Sequence, residues 1–374
     1  MTRSYLDHAS TSPLRPAAFD AMLPYLTEHH ADPGRLHAEG RVTRVAVEQA
    51  REQVAAAFGA RPREVVFTSS GTEAINTAVW GALARRPGAA VVTTGVEHSA
   101  VLDATSRAPA ERVVVGVDAV GRFSPGEVLD AVDGSCALVS VQLANHEVGT
   151  VQPAADVVAG CRERDVLVHV DACTANGHVP VDFRELGADL CSVSAHKLGG
   201  PKGAGALLVR RGLRLEPFIV GGAQERARRG GLESVPGIVG FGAAAVEVAG
   251  AALAAEALEA RRRTEALAAA ALAVEGVARY GDPDTRVPHL VCLGVGGVEA
   301  EPVLLALDQR GIAVHSGSAC SSETLEPSPV LAAMGVDADH SLRVSVGWST
   351  TDADVDAFVD AFPHVVASLR ALRT

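Results

Sequence analysis

Short apolar runs alternate with helical or turn segments over the first 210 residues of the chain. Their lengths of five or six residues suit strands, which we predict at 64–68, 90–94, 112–117, 137–142, 166–171, 190–194 and 206–210. Two helices are predicted before them, at 16–28 and 38–58. Many of the strands are apolar on both faces, which is typical of a mainly parallel sheet covered by helices on both sides. The last two strands are too close for a crossover helix, so one of them should pair antiparallel.

After about Val239 the pattern changes to a long helix, rich in alanine, glutamate and arginine, that should run to about Val274. A smaller α+β region follows, with predicted strands at 290–295 and 342–346 and predicted helices at 302–310 and from residue 352 onward. We therefore predict an α/β fold with a large domain at 15–250, built on a mainly parallel seven-stranded sheet flanked by helices. A smaller α+β C-terminal domain should occupy 251–374, and residues 1–14 should join the two.

Composition narrows the function classes. The chain has 33 basic and 45 acidic residues, a formal charge of −12, which argues against direct nucleic-acid binding. The first ten residues lack an apolar signal region, and the longest apolar tract, Gly237 to Ala255, is broken by Glu247, so we predict neither a signal peptide nor a membrane span. The six cysteines show no disulfide-type or zinc-type spacing, which favours a reducing cytoplasm and no metal site.

One cysteine differs from the others in its surroundings. Cys320 lies in the small, polar run HSGSACSSETLEP, which suits an exposed loop. A thiolate there could attack a substrate and then carry a sulfur atom to an acceptor. An incidental surface thiol is the alternative. The other five, at positions 136, 161, 173, 191 and 292, lie in apolar or mixed surroundings and are predicted to be core residues.

The chain contains only two lysines, Lys197 and Lys202, both in the stretch DLCSVSAHKLGGPKGAG. Arginine cannot replace lysine where an amine must lose its proton and bond to a carbonyl carbon. The stretch therefore predicts a Schiff-base lysine for pyridoxal phosphate, with Lys197 favoured because it follows the end of a predicted strand. The alternative is that an arginine-rich composition left two surface lysines by chance.

Other residues suit the same cofactor. In FTSSGTEAINTAV a strand leads through Ser70 and Gly71 into a helix, a geometry that binds phosphate but also fits a plain capping box. Asp171 ends an apolar strand and could keep a pyridine nitrogen protonated, or could be a salt-bridged structural residue. His98 and His196 lie in a loop and at a strand end, where histidine can stack on a ring or move protons, although each could equally be structural.

Taken together, these segments resemble the NifS-like cysteine desulfurases, pyridoxal-phosphate enzymes of the class V aminotransferase family with fold type I. The matching motifs span nearly the whole chain in family order: YLDHAST, FTSSGTEAIN, VEHSAVLD, NHEVGTVQP, HVDA, SAHKLGGPKGAGAL, GGAQER, SGSAC with LEPS, and LRVSVG. The run from SGSAC to LEPS resembles the subgroup with a long cysteine loop.

The resemblance implies a role for individual residues. Lys197 would form the internal aldimine, Asp171 would pair with the pyridine nitrogen, and His98 would stack on the ring and assist proton transfer. Arg343 would clamp the carboxylate of the substrate. The phosphate would be held by Gly71, Thr72, Ser194 and His196.

The implied activity is that of a cysteine desulfurase. Cys320 would attack the sulfur of bound L-cysteine, which leaves a persulfide on Cys320 and yields L-alanine. The implied enzyme is a cytoplasmic homodimer that passes its sulfur to an acceptor protein for iron–sulfur assembly, thiolation of tRNA or DNA, or cofactor synthesis. Two alternatives remain open: a lyase that acts on selenocysteine or a C–S bond without a persulfide, and a degenerate scaffold protein.

Some positions depart from the family pattern. His146 stands where relatives carry a second asparagine, and Thr174 stands where they carry glutamine, so both are expected near the phenolic oxygen of the cofactor. Leu232 replaces a threonine that reaches the phosphate from the neighbouring subunit, a hydrogen bond that leucine cannot make. Asp32 lies in a turn that relatives place near the substrate, and it is a candidate substrate-binding residue.

Overall fold

The structure is a computed structural model that describes residues 3–316 and 328–372. Its strands are β1 (Ser4–Tyr5), β2 (Val65–Thr68), β3 (Ala90–Thr94), β4 (Arg112–Val115), β5 (Cys136–Gln142), β6 (Leu167–Asp171), β7 (Leu190–Ser194), β8 (Gly205–Val209), β9 (Val277–Tyr280), β10 (Leu290–Val295), β11 (Ile312–Ala313) and β12 (Ser341–Ser345). Its helices are α1 (Pro16–Thr27), α2 (Ala38–Ala57), α3 (Gly71–Ala84), α4 (Ser99–Arg107), α5 (Pro125–Asp130), α6 (Ala154–Glu163), α7 (Phe183–Leu186), α8 (Gln224–Ala227), α9 (Val235–Glu247), α10 (Ala251–Leu272), α11 (Ala300–Asp308), α12 (Pro329–Met334) and α13 (Asp352–Ala371).

A large sheet forms the centre of the fold. In the part of the chain that the structure describes, it has seven strands in the order β2-β8-β7-β6-β5-β3-β4. Only β8 runs antiparallel to its neighbours, β2 and β7. The predicted α/β class is therefore confirmed, and so is the prediction that one of the last two strands of the large sheet pairs antiparallel. The connection between β7 and β8, residues 195–204, is too short to carry a helix across the sheet.

The two faces of this sheet differ at the carboxyl ends of its central strands. One face of β5, β6 and β7 is apolar throughout and belongs to the largest core cluster, with Val139, Val141, Val168, Val170, Cys191 and Val193. The opposite face begins with apolar Leu138 and Leu190 but continues with polar residues, namely Ser140, Gln142, His169, Asp171, Ser192 and Ser194. Helix α3 packs on this second face. The polar residues are therefore buried between α3 and the sheet.

A second set of elements forms a smaller layer. Strands β12, β10 and β9 make an antiparallel sheet, and α10, α11 and α13 pack with it around a separate apolar cluster. Leu6 belongs to that cluster, and β1 pairs with β11, so the N-terminal segment lies against this layer. The domain limits 15–250 and 251–374 remain our proposal.

The prediction of one long helix from Val239 to Val274 is wrong. The structure has two helices there, α9 and α10, bent by 76° at the break. Gly250 lies at that break with a φ of 57°, a conformation that glycine adopts readily. Within the described residues, no one helix is long and apolar enough for a membrane span, and only this bent pair together reaches that length and composition.

The segment between β8 and α9 is held by one buried and one partly buried ion pair. Glu225 accepts hydrogen bonds from both terminal nitrogens of Arg51 and from the amide of Phe67 on β2. Arg229 binds the carboxylate of Glu73 in the first turn of α3. Because Glu73 also accepts from the amide of Ser69, these pairs fix the loop that leads from β2 into α3.

Candidate active site

The polar ends of β5, β6 and β7 meet the start of α3 in a cleft. Its lining includes Ser70, Gly71, Thr72, Ile75, His98, Gln142, His146, Asp171, Cys173, Thr174, Ser194, His196 and Lys197. The carboxyl ends of parallel strands are where α/β folds commonly bind ligands. Ten of the twelve predicted site residues that the structure describes belong to this lining, and the other two, Arg343 and Asp32, do not.

 These twelve residues include Ser70 of the phosphate-type turn. Cys320 is not among them because it lies outside the described residues.

Lys197 lies at the centre of the lining. It ends a short 3₁₀ turn, Ala195–Lys197, that follows directly on β7, and its ammonium group donates to the carbonyl oxygen of Ala9. The side chain opens to the cleft, where loss of hydration and the nearby charge of Arg343 together lower the pKa of its amine to about 8. More of the amine is therefore unprotonated near neutral pH than in an exposed lysine, and bonding to an aldehyde carbon requires the unprotonated form.

The start of α3 offers an anion site beside Lys197. Ser70 caps the helix by accepting from the amide of Glu73 at 3.1 Å, and Gly71 and Thr72 line the cleft where the first amides of the helix lack intrahelical partners. A Cβ on Gly71 would lie 2.5 Å from the sulfur of Cys173, so the close approach requires glycine. This arrangement matches the phosphate role that the resemblance implies for the turn.

Buried polar atoms without partners face the same region. Ser194 is 1% exposed, yet its hydroxyl has no hydrogen-bond partner within residues 3–316 and 328–372. The same holds for Nδ1 of His146 and Nδ1 of His196 in the part of the chain described. Such atoms cost free energy unless a ligand satisfies them. Together with the amine of Lys197 and the carboxylate of Asp171, they fit pyridoxal phosphate, which carries phosphate, aldehyde, phenolic oxygen and a ring nitrogen.

Burial keeps two of the three cleft histidines neutral. It lowers the pKa of His196 to about 4, and it lowers the pKa of His146 well below the usual value, with the charges of His98 and Arg343 adding to the effect. His98 caps α4, and its Nδ1 accepts from the amide of Ala100 at 3.0 Å. The neutral ring of His98 therefore carries its proton on Nε2. Its ring meets that of His146 edge to face at 5.1 Å between centroids.

Asp171 is 6% exposed and is held from within the sheet. Its Oδ1 accepts from the hydroxyl of Ser192 at 2.7 Å and from the amide of Cys173 at 3.1 Å. These donors fix the orientation of the carboxylate at the end of β6. A cationic ring nitrogen of a bound cofactor would be the cationic partner that the sequence leads us to expect for the buried carboxylate of Asp171.

Two predicted site residues stand apart from the lining, and a third lies outside the described residues. Arg343 on β12 is 2% exposed; it donates to the carbonyl of His146, to Ser10 and to Asp7, and its Nε has no partner among the residues described. Asp32 lies outside the cleft and pairs with Arg35 at 3.0 Å, so its substrate role stays a prediction. Cys320 lies outside the described residues, and its role also stays a prediction.

Sequence reasoning missed three residues here. Cys173 was expected in the core but is only partly buried and lines the cleft, because it follows the end of β6 instead of lying within it. Gln142 ends the neighbouring strand β5 and pairs in register with Asp171, a position that strand-end logic could have found. Glu97 gave no separate signal, since it stands between Val96 and His98 and belongs to no motif of its own.

Glu97 is 1% exposed and lies behind the cleft. Its Oε1 accepts from the hydroxyl of Thr94 at 2.6 Å and from the amide of Gln142 at 3.1 Å, whereas Oε2 has no partner within the described ranges. Burial raises its pKa to about 8, with the nearby charge of Asp171 adding to the rise. Glu97 is therefore mostly protonated at pH 7.

Comparisons with known proteins agree on one family. The family model described as aminotransferase class-V matches residues 4–358. The chain is 39% identical over 379 residues to the protein named cysteine desulfurase IscS of Methanosarcina thermophila, covering 98% of this chain and 92% of that protein. It is similar to a solved structure described as a NifS-like protein, with a TM-score of 0.90, 30% identity, and coverage of 98% of this chain and 100% of that chain.

A further solved structure is described as SspA in complex with cysteine. The TM-score is 0.82 at 28% identity, and the match covers 93% of this chain and 100% of that chain. This similarity extends to a protein whose bound ligand is an amino acid that carries a thiol.

The two lysines can be distinguished by covalent loading. We expect that Lys197→Ala abolishes the adduct with pyridoxal phosphate that borohydride reduces, whereas Lys202→Ala, a change at an exposed lysine, keeps it. In the parent, the loading rate should rise with pH through about 8, because the amine of Lys197 loses its proton there. Mass spectrometry of the reduced protein measures both effects. A retained adduct in the Lys197 variant would contradict the assignment.

Glu97 should make stability depend on pH. Its pKa is raised on folding from 4.5 to about 8, so the folded state binds the proton more tightly and loses stability as pH rises through that window. The loss can reach about 1.4 kcal/mol for each unit of pKa shift. Glu97→Gln mimics the protonated acid and should flatten this loss. Urea unfolding of both proteins between pH 5.5 and 8.5 measures it, and parallel profiles would refute the protonated state.

Proposed function

The chain belongs to the class-V aminotransferase family and to its cysteine desulfurases, and we propose that it converts L-cysteine to L-alanine with pyridoxal phosphate. In this reaction the sulfur of the substrate moves to Cys320. The observation that carries the proposal is the convergence of Lys197, Asp171 and the start of α3 on one cleft. The unpartnered hydroxyl of Ser194 supports a phosphate in that cleft.

When bound, pyridoxal phosphate supplies an electron sink for negative charge that develops on the substrate. Lys197 would hold its aldehyde carbon, and Asp171 would hold its ring nitrogen in the protonated form. The phosphate would be bound by Gly71, Thr72, Ser194 and His196. These roles rest on the cleft geometry and on the order of the family motifs.

Neighbouring residues orient the ring and the substrate. His98 would stack on the ring, and its Nε2 would exchange a proton with the substrate. His146 and Thr174 would lie near the phenolic oxygen, where the family has asparagine and glutamine. Arg343 would bind the substrate carboxylate through its free Nε–H, and Asp32 would assist substrate binding.

The sulfur transfer balances without a further reactant. The thiolate of Cys320 attacks the sulfur of bound cysteine, an S–S bond forms, and the C–S bond of the substrate breaks. The net reaction is L-cysteine plus the Cys320 thiol giving L-alanine plus the Cys320 persulfide. The persulfide then passes its outer sulfur to an acceptor protein, for iron–sulfur assembly or for thio-modification. The placement of Cys320 in a small, polar run supports this role.

The enzyme is proposed to be a cytoplasmic homodimer. Helices α1 and α2 both pack on α9, and α1 exposes three large apolar side chains on its outer surface. Phe19, Leu23 and Leu26 share one face of α1 and are 49%, 43% and 59% exposed. A surface of this kind supports a protein interface. The absence of paired cysteine spacing in the sequence supports a reducing compartment.

Turnover and persulfide formation test the reaction. With L-cysteine and a reductant, the parent should release alanine and sulfide, and Cys320→Ala should lose this turnover almost completely because no other nucleophile receives the sulfur. Peptide mapping of the parent after a single turnover should place the persulfide on Cys320. Burial raises the pKa of the Cys173 thiol in the cleft well above 9, so it should stay unmodified.

Two outcomes would contradict this mechanism. A persulfide on Cys173 would move the nucleophile into the cleft. Undiminished turnover of Cys320→Ala without any persulfide would favour the lyase reaction.

The oligomer is tested by mass in solution. We expect that the parent has the mass of two chains and that Phe19→Asp with Leu26→Asp shifts it towards one chain, because two charges cannot be buried at an apolar contact. Leu258→Asp is the matched control, since Leu258 is 75% exposed on a different helix, α10. Light scattering with circular dichroism separates dissociation from unfolding. A dimeric double variant would exclude this face, and a monomeric parent would exclude the dimer.

A further inference from the structure

A buried chain of hydrogen bonds leads through the sheet to Asp171. Ser140 Oγ lies 2.9 Å from Nδ1 of His169, Nε2 of His169 lies 3.2 Å from Ser192 Oγ, and Ser192 Oγ lies 2.7 Å from Oδ1 of Asp171. Ser140, His169 and Ser192 are all fully buried. They are therefore shielded from solvent and from any substrate.

The strand register explains why these residues meet. Ser140 on β5 pairs with His169 on β6, and Asp171 on β6 pairs with Ser192 on β7. His169 and Asp171 are two residues apart on one strand, so their side chains lie on the same face of the sheet. Three adjacent parallel strands thus bring four polar side chains together beneath α3.

The direction of each hydrogen bond follows from the inventory of protons. A carboxylate only accepts, so the single hydroxyl proton of Ser192 points to Asp171. Ser192 must then accept from His169, which places a proton on Nε2 of that ring. Burial lowers the pKa of His169 to about 4, so the ring is neutral and its Nδ1 accepts from Ser140. Every donor in the chain points towards Asp171.

We propose that Ser140, His169 and Ser192 are positioning residues that keep Asp171 ionised and aimed at the ring nitrogen of the cofactor. Aligned donors polarise one another in a low-dielectric interior, and hydrogen bonds to a carboxylate favour its charged form. The inference rests on the proposed function, because it assigns these residues a purpose towards pyridoxal phosphate. It adds a set of buried residues that touch neither the cofactor nor the substrate.

The surroundings of Asp171 contain other ionisable groups that bear on its charge. Lys197 lies across the cleft, the thiol of Cys173 hydrogen-bonds to the carboxylate, and Glu97 lies behind it in the protonated form. Glu97 and Cys173 are both held neutral by burial. The donor chain through Ser192 therefore stabilises the negative charge from the sheet side.

The first test uses the full-length protein freed of cofactor. Nitrogen-15 NMR of labelled histidine, with His169 assigned by loss of its signals in His169→Gln, reports which ring nitrogen carries the proton. We expect a neutral ring protonated on Nε2 from pH 6 to pH 8.5. A ring protonated on Nδ1, or one that titrates in this range, would overturn the donor direction.

The second test separates the nitrogen contact from the rest of the site. The parent should bind pyridoxal phosphate more tightly than its 1-deaza analogue, which has carbon in place of the ring nitrogen. Ser192→Ala should lower this preference by about tenfold, the order of effect of one hydrogen bond to a charged group. Ser140→Ala should lower it by less. Thr105→Val is the control, because it removes a fully buried hydroxyl on α4 that bonds only within its helix.

The outcomes distinguish the inference from the proposed function. An unchanged preference in Ser192→Ala, or an equal weakening for both ligands, would overturn the positioning role and leave the desulfurase proposal intact. A parent that binds neither ligand would instead remove the proposed function, and the NMR result would still decide the donor direction. A reduced preference in Ser192→Ala with the parent value in Thr105→Val would support the inference.

Discussion

The active site depends on a lysine and a carboxylate that are buried in one cleft. Loss of hydration lowers the pKa of Lys197 to about 8, so more of its amine is unprotonated near neutral pH than in an exposed lysine. Asp171 is also buried, and it accepts hydrogen bonds from Ser192 and Cys173, which favour the charged form of a carboxylate. Burial disfavours the charged form of both groups, and the hydrogen bonds that the sheet supplies to Asp171 oppose this effect.

Most other ionisable groups around the cleft are neutral at pH 7. Burial lowers the pKa of His146, His169 and His196 and raises the pKa of Glu97 and Cys173. A site with few charges screens little, so each remaining charge acts strongly on a bound ligand. The unpartnered hydroxyl of Ser194 and the free Nε–H of Arg343 are consistent with a site that is complete only with its ligands, as judged on the described residues.

The site is assembled from both parts of the chain. Lys197 follows the large sheet but donates to Ala9 of the N-terminal segment, which lies against the smaller layer through β1. Arg343 of β12 donates to the carbonyl of His146, which follows β5. The position of Arg343, the proposed substrate-binding residue, therefore depends on the N-terminal segment, because Asp7 and Ser10 hold its guanidinium.

The α/β class, the seven strands of the large sheet, and the cleft residues that end strands or begin α3 could all be predicted from the sequence, because apolar periodicity and strand-end chemistry are local properties. It misjudged Cys173 and the helix break at Gly250, which depend on where a chain turns. Only the tertiary structure showed Glu97 behind the cleft and the chain from Ser140 through His169 to Asp171. Those contacts are made between neighbouring strands whose register is set by the packing of the whole sheet. The local sequence around each residue does not indicate which distant residue it will contact.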